Sequence, residues 1–198
     1  MTQQPQSHSH IQAQINEVDK EVQQCISQIE SNIPPITEQQ QLTIQSIVPH
    51  LTIQKSRISA DMDTGWGLFY QGKDTIPKNT LICVYSGPTQ SWVEINRNEY
   101  TMNLTNGTSI DGQPKHHQNF QTHLDQIQAA SIHYSFHSHS LASYANTLKA
   151  QSNCIFLEMK NLTGQVCMYI ETITPIHQYN EITVNYDKNY DYSWEINS

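Results

Sequence analysis

A mostly β domain of short strands, preceded by an amphipathic α-helix, is the fold that three features of this sequence predict. From Leu51 onward, short β-branched and aromatic runs alternate with Gly, Pro, Asn and Asp clusters. Thr80-Leu81-Ile82-Cys83-Val84-Tyr85 after Pro77-Lys78-Asn79 shows the pattern of a buried strand behind a turn. An Asn106-Gly107 pair between two such runs signals a hairpin. Ahead of them Ile11, Ile15, Val18, Val22, Cys25 or Ile26, and Ile29 recur at spacings of three and four, which is the period of a helix.

Taken in order, residues 1–10 hold Gln, Ser and His without an apolar anchor and are expected to be a disordered tail. The helix from Ile11 runs for about five turns and ends at Pro34-Pro35. Its stripe either packs on the main domain or forms a self-associating coiled coil, a homo-oligomer through residues 11–30, since the other face is Gln and Glu. Thr37 and Gln40 make a capping box that starts a second helix through Val48, so that 11–50 is a helical extension.

Strands follow over 51–187. Leu51 and Ile53 alternate, and Gly65-Trp66-Gly67-Leu68-Phe69 comes next. Tyr100–Leu104 and Thr108–Ile110 flank Asn106-Gly107 in what is expected to be a type I′ turn, and Asp111-Gly112 closes that unit. Residues 113–139 read as a polar Gln/His-rich insertion. Its histidines, of which His139 is the last residue of the run, have no carboxylate or cysteine at a fixed helical spacing, so no metal site is expected. Strands resume at Cys154–Leu157, Gln165–Ile170 and Ile182–Tyr186, and an aromatic tail with Tyr190, Tyr192 and Trp194 occupies 188–198.

Composition narrows the function classes. The chain has 198 residues, room for one cored domain plus an appendage. A formal charge of −8 argues against non-specific nucleic-acid binding, which needs clustered Lys and Arg, and suits a basic partner such as a Lys-rich peptide. No stretch is long and apolar enough to span a bilayer, and the N-terminus has no apolar signal core. Cys25, Cys83, Cys154 and Cys167 are far apart, which gives no zinc knuckle and no disulfide framework. Reduced cysteines and an intracellular location are expected, with the sequons at Asn103, Asn106 and Asn161 incidental.

The stretch Ser140–Phe156, SLASYANTLKAQSNCIF, combines small side chains at Ala142, Ser143 and Ala145 with Asn146, a side chain that both donates and accepts. Gly65-Trp66-Gly67 by itself does not match a dinucleotide fingerprint. Three segments in order carry more weight: GWGLFYQGKDTIPKNTLICVYSG at 65–87, the Ser140–Phe156 stretch, and NEITVNYD at 180–187. This succession, over roughly Leu51–Asp187, resembles the SET-domain family of protein lysine methyltransferases, in its compact form without zinc-binding cysteine clusters.

The resemblance implies a β-clip fold with a C-terminal pseudoknot, S-adenosylmethionine as cofactor, and methyl transfer to a lysine ε-amine of a protein. Histone tails are the commonest precedent, which would place the protein in the nucleus. It further implies that Gly65, Trp66 and Gly67 let the backbone approach the methionine end of the cofactor. Asn146 and the backbone of Thr147 would hold that cofactor, and Trp194 would cover its adenine. Tyr85 and Tyr186 would be the catalytic hydroxyls that align a neutral amine with the methyl carbon. Phe156 and Val184 would line the substrate channel where relatives tune the number of methyl groups, and these two residues point to products beyond monomethyl-lysine. The chain departs from the family at Asn146-Thr147-Leu148-Lys149, where Asn-His-Ser-Cys is common. A catalytically silent SET-like module that binds a Lys-bearing peptide, and a scaffold oligomerised by the N-terminal helix, are the competing expectations.

Overall fold

The structure, a computed structural model, describes residues 8–58, 65–92, 100–113, 141–148 and 151–186. Residues 1–7 of the expected tail, nearly all of the 113–139 insertion with its histidines, and Trp194 lie outside the described residues.

Helix α1 spans His8–Asn32, beginning three residues before Ile11. It stops ahead of Pro34-Pro35, because proline lacks an amide donor and drives the preceding residue out of helical geometry. Its long apolar stripe does not pack on the described residues of the domain: Ile11, Ile15, Val18, Val22 and Ile29 are 41–56% exposed. The last turns of α1 do make contact. Asn106 Nδ2 donates to Glu30 Oε1 at 3.0 Å, and Ile33 packs against the core.

Helix α2, Glu38–Ile47, forms behind the predicted capping box. Gln40 N donates to Thr37 Oγ1 at 3.1 Å, and Thr37 N donates to Gln40 Oε1 at 2.8 Å. These reciprocal bonds satisfy two amides that the first turn otherwise leaves open. Ile44 of α2 and Ile36 before it pack with Leu81, Met159 and Tyr169 in a second small core. Ile36 N also donates to Lys160 O, and Lys160 N to Pro34 O. The chain from Ile33 onward is therefore built into the domain, and α1 alone extends from it.

Ten strands follow among the described residues: β1 Leu51–Lys55, β2 Trp66–Tyr70, β3 Leu81–Tyr85, β4 Thr89–Ser91, β5 Thr101–Asn103, β6 Thr108–Asp111, β7 Asn146–Thr147, β8 Cys154–Lys160, β9 Val166–Thr172 and β10 Glu181–Val184. The main sheet runs β1-β2-β10-β8-β9-β3 with β7 also on β10, and a smaller sheet runs β4-β6-β5. The protein is mostly β with an N-terminal helix, as the sequence predicts. No helix among the described residues is long and apolar enough to cross a membrane.

The β5–β6 hairpin forms where Asn106-Gly107 placed it, with a different turn. A type I′ turn needs positive φ at both central residues, and here Gly107 (φ +83) has it while Asn106 does not. Gly107 N donates to Leu104 O, and Leu104 N donates to Thr108 O, closing a three-residue loop in which one left-handed glycine ends the turn.

Strand β10 positions the site. It pairs antiparallel with β2 at Glu181–Phe69 and Ile182–Leu68. It pairs parallel with β7 at Thr183–Asn146 and Val184–Thr147, and with β8 at Val184–Cys154. Asn153 fastens the crossing: its Nδ2 donates to Glu181 O at 2.7 Å, and Thr183 N donates to its Oδ1 at 2.9 Å. Ile182 and Val184 are fully buried, so the strand is anchored by its apolar residues while Glu181 at its start is half-buried.

Candidate active site

Two groups of side chains meet at the ends of β10, one polar and one aromatic. The polar group is centred on Glu181, at the start of the strand. Ser56 Oγ donates to Glu181 Oε1 at 2.7 Å, Arg57 N donates to Oε2 at 2.8 Å, and Asn146 Nδ2 donates to Oε1 at 3.0 Å. Asn146 Nδ2 also donates to Trp66 O at 3.1 Å. A charged acceptor makes each of the three bonds to Glu181 stronger than a bond to a neutral one. Glu181 was not among the residues singled out from sequence. The available signal was a carboxylate opening an apolar strand, where a charge is kept only if it has partners.

Gly67 belongs to this group for a steric reason. A methyl group built on its Cα would fall inside contact distance of Glu181 Oε1 and lie 3.1 Å from Asn146 Nδ2. The space above Gly67 is thus occupied by the protein's own carboxylate and amide. Gly65 differs: its φ of +73 is a conformation that favours glycine, and nothing lies within 4 Å of a side chain there. Trp66 is 38% exposed, with Lys55 Nζ 5.7 Å from its ring centroid.

The aromatic group forms beyond the other end of β10. Phe156 lies between two tyrosines, its ring 5.8 Å from Tyr85 in an edge-on contact and 6.0 Å from Tyr186 at a tilt of 32°. Tyr186 Oη donates to Ala145 O at 2.9 Å, and Tyr186 N donates to Thr147 Oγ1 at 3.3 Å. Tyr85 Oη donates to Tyr100 O at 2.7 Å. Tyr186 is thus bonded to Ala145 and Thr147, the residues on either side of Asn146, while the Asn146 side chain belongs to the polar group.

Two glycines allow close packing around Tyr85. Its ring occupies the space that a side chain on Gly112 would need, and Gly87 packs against the backbone of Asp111 in the same way. Burial raises the pKa of Tyr85 well above the ordinary tyrosine value, and the neighbouring Tyr186, Asp111 and Tyr100 add to it. Its phenol stays neutral at physiological pH. Val184 lies in the sealed core with no exposed surface, whereas Phe156 is half-buried. A cavity of about 450 Å³ between α2, the end of β3 and the β8–β9 turn is lined by Tyr85 but by neither Phe156 nor Tyr186, so it borders the aromatic group through Tyr85 alone.

The family model of the SET domain matches residues 65–187, which takes in both groups of side chains except Ser56 and Arg57. The chain belongs to the SET-domain family. None of the curated proteins compared with it matches. SET domains are typical of protein lysine methyltransferases, and such enzymes use S-adenosylmethionine. Among the described residues of this SET domain, no group of three or more His, Cys, Asp or Glu is placed to hold a metal.

Proposed function

We propose that this SET domain transfers a methyl group from S-adenosylmethionine to the ε-amine of a lysine in a protein substrate. A basic tail such as that of a histone suits the formal charge of −8. The observation that carries this reading is the state of the two hydroxyls: Tyr85 Oη and Tyr186 Oη each donate to a main-chain carbonyl. With their hydrogens so used, both oxygens have lone pairs to accept from an amine N–H.

Lysine in water is protonated up to about pH 10.4, and an ammonium has no lone pair for attack. The rings of Tyr85, Phe156 and Tyr186 make an environment that disfavours the charged form by desolvation. The neutral amine is then held by the tyrosine oxygens, so orientation lowers the barrier and no covalent enzyme intermediate is required. Neutral Tyr85 acts as an acceptor and not as a base.

The polar group fits the cofactor. Asn146 Oδ1 has no partner among the described residues, and together with the Glu181 carboxylate it makes an acceptor-rich patch suited to the α-ammonium of the cofactor's amino acid end. Asn146, the backbone at Gly65 and Trp66, and Thr147 would hold the molecule there, with Gly67 leaving room for the Glu181 carboxylate. When bound, it supplies an electrophilic methyl group on a sulfonium.

The test is incubation of the pure protein with methyl-labelled S-adenosylmethionine and a pool of histones and cell lysate, read by mass spectrometry. Label on lysine that is lost in Tyr186→Phe supports the enzyme. One feature favours the silent module: Thr147 stands where the family commonly has histidine, and its hydroxyl is engaged by Tyr186 N. Binding of S-adenosylhomocysteine without turnover on any substrate in the pool would select that reading.

A further inference from the structure

A heptad seam runs along α1 on a face that the domain leaves uncovered. With Ile15, Val22 and Ile29 at position a, Ile11, Val18 and Cys25 fall at d, six seam positions in a row without a break. Apart from Ile26 beside it, this stripe keeps to a and d, the narrow seam of a coiled coil, and a helix that packs on a globular core has a wider one. The exposure of 41–56% at Ile11, Ile15, Val18, Val22 and Ile29, with Cys25 also exposed, shows the seam open along its whole length.

The contact between α1 and the domain uses other residues. Ile26 reaches Gly107, Glu30 accepts from Asn106, and Ile33 packs on the core. These recur at spacings of four and three and form a second stripe beside the seam. Ile29, between Ile26 and Glu30 in sequence, remains 42% exposed, so docking leaves the last seam position free.

The flanking charges choose the occupant and its direction. Gln12, Asp19 and Ile26 fall at e; Gln14, Glu21 and Gln28 fall at g. In a parallel, in-register pair of copies, g faces the e position five residues later. Gln14 then faces Asp19 of a second copy, Glu21 faces Ile26, and no like charges meet. An antiparallel pair matched end to end sets e against e and g against g, bringing Asp19 near Asp19 and Glu21 near Glu21. β-Branched residues at both a and d shift the preference from two strands to three.

We propose that the chain self-associates through α1 as a parallel, in-register bundle of three copies. The seam is about five turns long, close to the shortest run that specifies a coiled coil, so assembly is concentration-dependent. Sedimentation of the full chain at rising concentration is the test, with the mean mass climbing from 22.7 kDa toward three times that value. The double variant Ile15→Lys with Val22→Lys alters only exposed seam positions and should stay monomeric at every concentration, with the thermal transition of the domain unchanged. A mild thiol oxidant should capture covalent dimers of the associated chain through Cys25, absent from Cys25→Ser and from the lysine variant. A wild-type chain that stays monomeric overturns the proposal. Association without the Cys25 cross-link overturns the parallel register, and a mass ceiling at two copies overturns the three-copy bundle.

Discussion

The two ends of β10 solve different physical problems. At Glu181 a carboxylate collects hydrogens from Ser56, Arg57 and Asn146, tying together segments 125, 124 and 35 residues away. Beyond Val184 the contacts are between rings, and the two hydroxyls rest on carbonyls of Tyr100 and Ala145. A carboxylate that loses a partner leaves a desolvated charge, whereas a ring that loses a hydroxyl keeps its packing. The polar end should therefore carry stability and cofactor affinity, and the aromatic end should carry turnover.

The hardest test of that division is Gly67→Ala. The added methyl group collides with Glu181 Oε1 and crowds Asn146 Nδ2, so the carboxylate must move and its three donors lose it. We expect about 3 kcal/mol of destabilisation in urea unfolding, together with loss of S-adenosylhomocysteine binding. Wild-type stability would show that Glu181 can swing aside freely. Tyr186→Phe probes the other end. Its fold should lose about 1 kcal/mol, while methyl transfer should fall about 100-fold, roughly 2.7 kcal/mol on the barrier. Full activity on a matched substrate would remove Tyr186 from the catalytic assignment.

Asn146→Ala lies where the two groups join. It removes the bonds to Trp66 O and Glu181 Oε1, and weaker cofactor binding by roughly 1–2 kcal/mol is expected in calorimetry. An unchanged dissociation constant in a folded variant would place the cofactor elsewhere.

What could be read in the sequence follows the range of the interactions. The α2 cap was legible because Thr37 and Gln40 are three residues apart and act on each other. The hairpin was legible in place but not in turn type, because Asn-Gly serves both a two-residue turn and the longer loop seen here. Strand β8 continues three residues past the predicted Leu157, through Glu158 and Lys160, whose polarity ended the apolar run. Glu158 is retained there because Thr105 N and Thr105 Oγ1 donate to it. The parallel pairing of β7 with β10 has no local period, and only the family resemblance placed Asn146 beside Tyr186. Glu181 went unnoticed for the same reason, since its side-chain partners lie 35 or more residues away.

Alkaline titration sharpens the comparison from the side of the core. Burial pushes the Cys154 thiol up to about 12 and the Tyr144 phenol to about 12, and raises Cys83 and Tyr85 as well. All four are neutral when folded and ionise more easily when unfolded. Their stabilising effect is complete below the unfolded values, about 8.5 for Cys and about 10 for Tyr, and is lost as pH rises toward the folded ones. Melting temperature should hold steady from neutral pH to about 8.5 and fall beyond it. In parallel, at concentrations where the chain is monomeric, Cys25 should react with a thiol reagent at once, with Cys83 and Cys154 reacting only on unfolding. Steady stability to strongly alkaline pH would show that these groups ionise equally in both states.

The smallest expected effect comes from adding a hydroxyl to the aromatic end. Phe156 is half-buried between Tyr85 and Tyr186 and gives the ring wall no acceptor of its own. An amine bearing one methyl group can turn in such a site, because fewer oxygens fix its remaining N–H bonds and no third hydroxyl holds an ordered water in the way. On this reading the chain goes beyond monomethyl-lysine. Phe156→Tyr adds one oxygen at the ring edge with little change in packing, so the fold and the first transfer should be nearly unaffected. The second transfer should slow, and intact-mass spectra of a peptide substrate should shift toward the singly methylated product. A wild-type chain that stops at one methyl group under enzyme excess would show that Phe156 does not open the site. The limit would then lie with residues around the rings, and the aromatic end would set geometry without setting product number.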